Sequence, residues 1–427
     1  MTGTDDRTGV SGADDVRSRA YRLIVTLGIV SLLADFTYES ARSLAGPWLG
    51  LLGASALVVT SVSGVGEFLS YGLRLVSGTA ADRSGRHWAW TLAGYSVNLL
   101  AVPALALAGG WTGAAALLLL ERAGKGLRTP PRDALLSYAA NRVGPGRGFG
   151  LHEALDQVGA VLGPLVVAGV LTVADSYRLA FVSLLVPAAL ALAALARARS
   201  RFPEPERLEA EDAANRKRIE VRRNPEAGEE DQLAGARIDR SAWRDLLKDR
   251  SFRWILLGAT AFGAGFVDFP LIAYHDARAS LLSAAAIPLA YAGAMGVDAL
   301  AALGLGHLFD RRPAAALAAG PLAGAAAAPL LFLVHGPGLL VGIGLWGVSL
   351  GCLESVLRAA VAARLPSGLR ATGFGVFSAT FGLAWMAGSV VIGVLYERSL
   401  MLAAAWSVGL LLAATLLLAR AASEEDG

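Results

Sequence analysis

Charge is what this chain is shortest of. Of its 427 residues only 17% are charged, 55% are hydrophobic, and the mean hydropathy is +0.52. A water-facing surface on a chain of this length needs about a quarter of its residues charged, so much of this surface faces another medium. Cysteine is nearly missing as well. A lone Cys352 excludes an intramolecular disulfide and a thiolate metal cluster. The five histidines (His87, His152, His275, His307 and His335) show no ligand spacing, so no metal site and no cofactor is expected. No Gly-x-x-x-x-Gly-Lys-Ser/Thr loop occurs, which argues against ATP-driven work by this chain alone. A membrane-embedded enzyme would need paired histidines with acids at one interface, or a serine with a base. Neither constellation is found, and His152-Glu153 stands alone. The net charge of +3 and pI near 9.1 call for no nucleic acid partner, because basic residues in a membrane protein set its orientation.

What is present in quantity is apolar sequence. Thr112–Leu120, Leu179–Ala196, Ala314–Val334 and Met401–Leu418 contain almost no ionisable side chain. A bilayer-spanning helix needs roughly 20 mostly apolar residues, because its backbone groups must be satisfied within the segment. Hydropathy and turn signals predict twelve spans. Six come first: Tyr21–Leu49, Ser55–Ala80, Trp88–Ala108, Thr112–Ala140, Gly148–Val173 and Tyr177–Ala196. After a polar gap follow Ser251–Tyr274, Leu281–Leu308, Ala314–His335, Gly338–Arg364, Thr372–Leu395 and Met401–Arg420. The expected class is an all-α membrane protein of two six-helix halves. The divisions are a tail at 1–20, halves at 21–196 and 251–420, a linker at 197–250 and a tail at 421–427. The polar leader with Asp5, Asp6, Asp14 and Asp15 is unlike the basic start of a secretory signal, so the first span is expected to be retained.

Arginines accumulate in the loops of one side: Arg83 and Arg86, Arg142 and Arg147, Arg311 and Arg312, Arg364 and Arg370. The positive-inside rule then puts both termini and the linker in the cytoplasm of a cell that carries the protein in its inner membrane. The linker mixes acid and base in near balance and reads as a solvated connector. Its end, Ser241–Trp254, has the pattern of an interfacial amphipathic helix. The halves echo each other. GTAADRSGR (Gly78–Arg86) recurs as GHLFDRR (Gly306–Arg312), Gly148-Phe149-Gly150 recurs as Gly373-Phe374-Gly375, and Asp35-Phe36 recurs as Asp268-Phe269. Three echoes in the same order suggest duplication, and repeated halves around a shared cavity are a recurrent transporter plan.

Twelve spans, a long middle loop and GTAADRSGR between the second and third helices resemble the major facilitator superfamily. Its loop pattern, G-x-x-x-D-R-x-G-R, is matched by Gly78, Asp82, Arg83, Gly85 and Arg86. The degenerate second copy keeps Gly306, Asp310 and Arg311, with Arg312 beside them. The resemblance implies a secondary transporter in which this motif helps hold a cytoplasmic gate, Asp82 pairing with arginines or a helix N-terminus in one state. Arg122 and Gly126 resemble the R-x-x-x-G signature associated with proton coupling. Gly159, Gly163, Pro164 and Gly169 resemble, in part, the fifth-helix pattern of drug/proton antiporters, which implies export. The closing Gly-Gly pair of that pattern is reduced here to a displaced Gly169. The same small residues also suit plain helix packing.

Ionisable groups inside a membrane are costly, at least ~2.5–3.5 kcal/mol at a helix centre, so each needs a partner or a task. Asp35, Glu39 and Arg122 are the candidates for proton coupling. A carboxylate held between desolvation, which favours its neutral form, and a nearby arginine, which favours its charged form, can take up a proton on one side and release it on the other. The alternative is that Asp35 and Glu39 neutralise Arg42 and Arg122 as static structure. The intramembrane ion-pair candidates are Glu67, Lys125, Arg128, Glu153, Asp156, Asp268, Asp298, Glu354 and Arg358. A break at Pro130-Pro131 would let Lys125 meet Asp156 and Arg128 meet Glu153. Glu354 and Arg358, four apart on a helix, would meet each other. Tyr38, Tyr71, Tyr95, Trp254, Phe266, Tyr274, Trp346, Phe377 and Trp385 are available to line a cavity or to pack.

The function expected is secondary transport of a small organic or amphipathic solute by alternating access, with a proton gradient as energy source and export as direction. The expected partners are that solute and the lipid bilayer, with the protein working as a monomer. A facilitator or a proton-symport importer is the alternative within transport. A non-transporting scaffold or sensor, which would more naturally carry a folded soluble domain, is the alternative outside it.

Overall fold

The structure, a computed structural model, describes residues 7–206, 250–365 and 370–423. These residues form helices joined by tight turns. In the first half they are α1 (Arg7–Leu51), α2 (Ala56–Ser84), α3 (His87–Ala104), α4 (Trp111–Val143), α5 (Pro145–Ala174), α6 (Tyr177–Ser183) and α7 (Leu185–Arg201). In the second they are α8 (Arg250–Gly265), α9 (Phe269–Arg278), α10 (Ala286–Phe309), α11 (Pro313–Leu333), α12 (Pro337–Gly351), α13 (Leu357–Arg364), α14 (Arg370–Arg398) and α15 (Leu400–Ser423). α6 with α7, α8 with α9, and α12 with α13 each make one broken span, which leaves twelve passes. Both described ends therefore lie on one side, called here the termini end. The linker expectation at Ser241–Trp254 falls largely outside the described residues, and its last five residues, Arg250–Trp254, begin α8.

Eleven of the passes are long and apolar enough to cross a membrane. α4 is the exception, because Glu121, Arg122, Lys125, Arg128, Arg132 and Asp133 crowd one stretch of it. It can run through the bundle only because its neighbours shield those charges. The outside of the bundle shows the complementary pattern, with Leu107, Val173, Leu300 and Leu303 at least 72% exposed. Apolar side chains outward and charge inward is the distribution a hydrocarbon solvent selects.

Two local departures from the sequence expectation shape the interior. α4 continues unbroken through Pro130 and Pro131, so the break that would let Lys125 meet Asp156 and Arg128 meet Glu153 does not occur; adjoining helices can satisfy the freed carbonyl groups. Conversely, the seventh span breaks at Phe266–Asp268, where Asp268 caps the N-terminus of α9 and accepts from the Phe269 amide at 2.9 Å. A third irregularity is a π-helical turn at Cys352–Val356 between α12 and α13, a feature often found at functional sites.

The halves meet mainly through α1 with α9, α2 with α14, and α5 with α10. At the end away from the termini, the far end, these contacts are tight. A Cβ on Gly46 would collide with the Pro270 carbonyl, and one on Gly393 would collide with Thr60. The Leu57 amide donates to Glu397 at 3.0 Å, and the Tyr274 hydroxyl donates to the Ala54 carbonyl at 3.4 Å.

Candidate functional site

Between the halves lies a cavity of about 490 Å³, inside the range of roughly 300–1,000 Å³ typical of small-molecule sites. α1 contributes Asp35, Tyr38, Glu39 and Arg42 to its wall, and α4 contributes Lys125, Arg128 and Arg132. Glu153 and Asp156 come from α5, Asp298 from α10, Glu354 from the π turn, and Arg74 and Arg358 from α2 and α13. The lining extends to Phe149 and Gly150 in the first two turns of α5, so the cavity faces the termini end. Glu153, Glu354 and Arg358 are exposed although they sit within spanning helices, which requires water in the cavity.

The far end of the cavity is sealed by a charged knot. Arg42 contacts Asp268 at 2.6 Å and Glu67 at 3.5 Å, and Ser63 donates to the other Asp268 oxygen at 2.6 Å. Arg42 and Ser63 belong to the first half and Asp268 to the second, so this pair crosses the interface. Glu67 is shared with Arg122 at 3.7 Å, and Arg122 also meets Glu121 at 3.4 Å. Asn98 then donates to Glu121 at 2.7 Å.

Asp35 and Glu39 sit in the cavity wall without the partners expected for them. Neither pairs with Arg42 or Arg122, because Glu67, Glu121 and Asp268 already occupy those guanidinium groups. Asp35 instead lies 3.6 Å from Arg128 and accepts from the Tyr38 hydroxyl at 3.1 Å, and that hydroxyl accepts from Lys125 at 2.7 Å. The Tyr291 hydroxyl of the second half donates to Glu39. Arg122 does not line this cavity. It lies behind Tyr38, beside the sealing knot.

The proposed pairing of α4 with α5 also needs correction. With no break at Pro130, Lys125 and Arg128 turn toward α1, and Arg132 is the residue that reaches Asp156, at 3.8 Å. His152 joins this group, 3.7 Å from Asp156 and 3.1 Å from the Ser31 hydroxyl. Glu354 and Arg358 form no ion pair within 4 Å, because the π turn rotates residues four apart off a common face. Arg358 lines a small side pocket with Tyr71 instead. Arg74 and Arg132 were missed in the sequence, although each carried the signal that found the others: an arginine inside a predicted span. Tyr291 carried no signal, since a tyrosine in an apolar helix is commonplace.

The loop motif is laid out as a helix end. α2 stops at Ser84, and Gly85 caps it at φ +62°, a left-handed conformation that favours glycine. Asp82, Arg83 and Arg86 are exposed, as are Asp310, Arg311 and Arg312. Among the described residues Asp82 forms no ion pair within 4 Å. In the fifth helix, Gly159 and Gly163 allow α5 to touch the α1 backbone, where a Cβ would collide with the Leu32 and Phe36 carbonyls. Gly169 has open space around it.

This geometry agrees with the comparisons to known proteins. The family model of the Major Facilitator Superfamily matches residues 27–389. The chain belongs to the major facilitator superfamily. An uncharacterized protein of Mycobacterium tuberculosis is 42% identical over 391 residues, covering 91% of this chain and 90% of that protein. An uncharacterized MFS-type transporter of Methanocaldococcus jannaschii is 33% identical over 140 residues, 33% of this chain and 35% of that one. Among solved structures, a peptide transporter POT in complex with sulfate superposes with TM-score 0.69 at 16% identity, covering 94% of both chains. The nucleoside transporter NupG gives 0.69 at 14%, covering 92% of this chain and 98% of that one. A bacterial homolog of the human lysosomal transporter Spinster, inward-facing and unoccupied, gives 0.66 at 15%, covering 96% of both. At such identities the likeness concerns the fold. This superfamily member is a multi-pass membrane transporter, not an enzyme.

Proposed function

We propose that this protein is a proton-coupled secondary transporter of a small, charged organic solute, working by alternating access. The observation that carries the reading is the water-accessible cavity lined by Asp35 and Glu39, open toward the termini end and sealed at the other by Arg42, Asp268 and Glu67. The moving bodies are residues 21–196 and 251–420, rocking about that cavity with the proton gradient as energy source. The loop arginines favour a cytoplasmic termini end in the inner membrane, so the conformation described would be inward-facing. The exposed, unpaired Asp82 fits a cytoplasmic gate that is released in this state. Export is the direction the fifth-helix pattern favours, although Gly159 and Gly163 also have a packing role. The density of charge in the cavity favours a polar ion over an amphipathic cargo. A monomer suffices, since each half supplies the other's missing wall.

Asp35 and Glu39 suit proton coupling because each is held by a movable hydroxyl. Glu39 takes its hydrogen bond from Tyr291 across the half-to-half interface, so separating the halves would remove that bond and alter proton affinity. The test uses proteoliposomes carrying a pH gradient and a panel of radiolabelled organic ions. Wild-type protein should accumulate at least one of them in proportion to the gradient. Asp35→Asn and Glu39→Gln should abolish gradient-driven accumulation while leaving gradient-free exchange measurable. Full coupling in both variants would end the assignment, and pH-independent flux in wild type would make the protein a facilitator.

A further inference from the structure

The charges lining the cavity are of both signs, and they are sorted. Glu153 on α5, Asp298 on α10 and Glu354 in the π turn come from elements in a continuous line of contact, α5 on α10 and α10 on the turn. Lys125 on α4 and Arg74 on α2 come from another packed pair, and Arg358 lines a small side pocket with Tyr71 and Arg74. Counted over the whole lining, seven carboxylates face six lysine and arginine side chains. That near balance fits neither a polyanion nor a polycation.

Seven of these groups lack an opposite charge: Glu39, which has the Tyr291 hydroxyl instead, and six more. Among the described residues, Glu153, Asp298, Glu354, Arg74, Lys125 and Arg358 form no ion pair within 4.0 Å. Their substitutes are weak or partial. Lys125 has the Tyr38 hydroxyl and, at 3.9 Å, the Tyr38 ring. The Arg74 guanidinium lies 4.9 Å from the Tyr71 ring centre, and its Nε is buried with no hydrogen-bond partner. Asp298 accepts from Gln157 at 3.4 Å through one oxygen, while the other is buried and unpartnered. Unpaired charge inside a membrane protein marks a path for ions or substrate. Here Glu153, Asp298 and Glu354 on one side and Lys125 and Arg74 on the other face the same cavity.

We propose that the solute is a zwitterion, its anionic group taken by Lys125 and Arg74 and its cationic group by Asp298 and Glu354. A singly charged solute would complete one wall and leave the other unpaired. A solute carrying both charges on one frame completes both while one molecule is ordered. This assignment rests on the reading of the cavity as the substrate site of a transporter, and it adds the charge class.

Simple zwitterions of graded length can stand in for the natural substrate. Purified full-length protein in detergent at neutral pH is titrated with dialanine and with ω-amino acids from 4-aminobutanoate to 8-amino-octanoate. Their N-acetyl derivatives keep only the anion, and their amides keep only the cation. Ligand affinity is read from the rise in melting temperature. At least one zwitterion should bind with a Kd ten-fold or more below both of its capped analogues. Glu354→Gln and Asp298→Asn should raise that Kd toward the value for the N-acetyl analogue, without changing the latter. Lys125→Gln should do the reverse, toward the amide. Capped analogues binding as tightly as their parents would overturn the proposal, as would a series with no binder. Either result leaves the gradient-driven flux as a separate measure of whether the protein transports at all.

Discussion

Arg42, Asp268 and Glu67 show what a buried charge needs in order to persist in a membrane. Arg42 has a carboxylate on each side, and Asp268 completes its own hydrogen bonds with Ser63 and the Phe269 amide. Removing one member of such a pair leaves the other uncompensated, typically at a cost of about 3–5 kcal/mol when fully buried. Because this pair joins the two halves, that cost falls on the sealed state and shifts the population away from it. A cysteine at Ser63, labelled with a membrane-impermeant maleimide from the far side, should react several-fold faster when Asp268→Asn is added. Unchanged labelling would remove Asp268 from the seal. The native thiol does not interfere, since Cys352 is buried. Close helix contact depends on single residues too. The missing Cβ of Gly163 lets α5 lie on the Phe36 carbonyl, so Gly163→Val should destabilise the protein by about 1–3 kcal/mol through overpacking. A melting curve in detergent checks it, and an unshifted midpoint would show that α1 and α5 can move apart freely.

Among elements, the π turn at Cys352–Val356 decides how the tenth pass presents its charges. In a regular α-helix Glu354 and Arg358 would share a face and neutralise each other. The wider turn sends Glu354 toward the acidic wall and Arg358 toward Tyr71. Deleting Ser355 would restore α-helical register and rotate one charge relative to the other. The expected outcome is a protein that still inserts and purifies but accumulates no solute in the gradient assay. Retained transport would mean that the turn is incidental. The break between α8 and α9 belongs to the same class: it brings a helix N-terminus and its capping Asp268 into the bundle, where Arg42 can reach it.

For the whole molecule the question is whether sealing one end and opening the other are parts of one motion. α2 and α14 run together from Leu57 and Gly393 at the far end to Leu75 and Gly375 near the termini end. Cysteines at Leu57 and Glu397, whose amide and carboxylate meet at 3.0 Å across the halves, placed in a Cys352→Ala background, should be joined by a short reducible bifunctional thiol reagent in the conformation described and stop transport until a reductant is added. Full transport by the cross-linked protein would exclude alternating access through this interface.

The number of passes, their order, the internal echo and the family were legible, because each depends on a local count: runs of apolar residues, loop arginines, and short motifs at fixed offsets. The ionisable candidates in the wall were legible for the same reason, since any charge in an apolar run stands out. Their partners were not. Arg42 and Asp268 are 226 positions apart, Glu39 and Tyr291 252 apart, and such pairs form only when the halves close on each other. Lys125 and Glu354 were assigned wrong partners because helix continuity through Pro130 and a π turn at Cys352 are settled by neighbouring helices that satisfy or displace backbone groups. Apolar surface and the bilayer specify that these helices form and insert. Which charges neutralise one another, and which are left facing an open cavity, is decided when the helices pack.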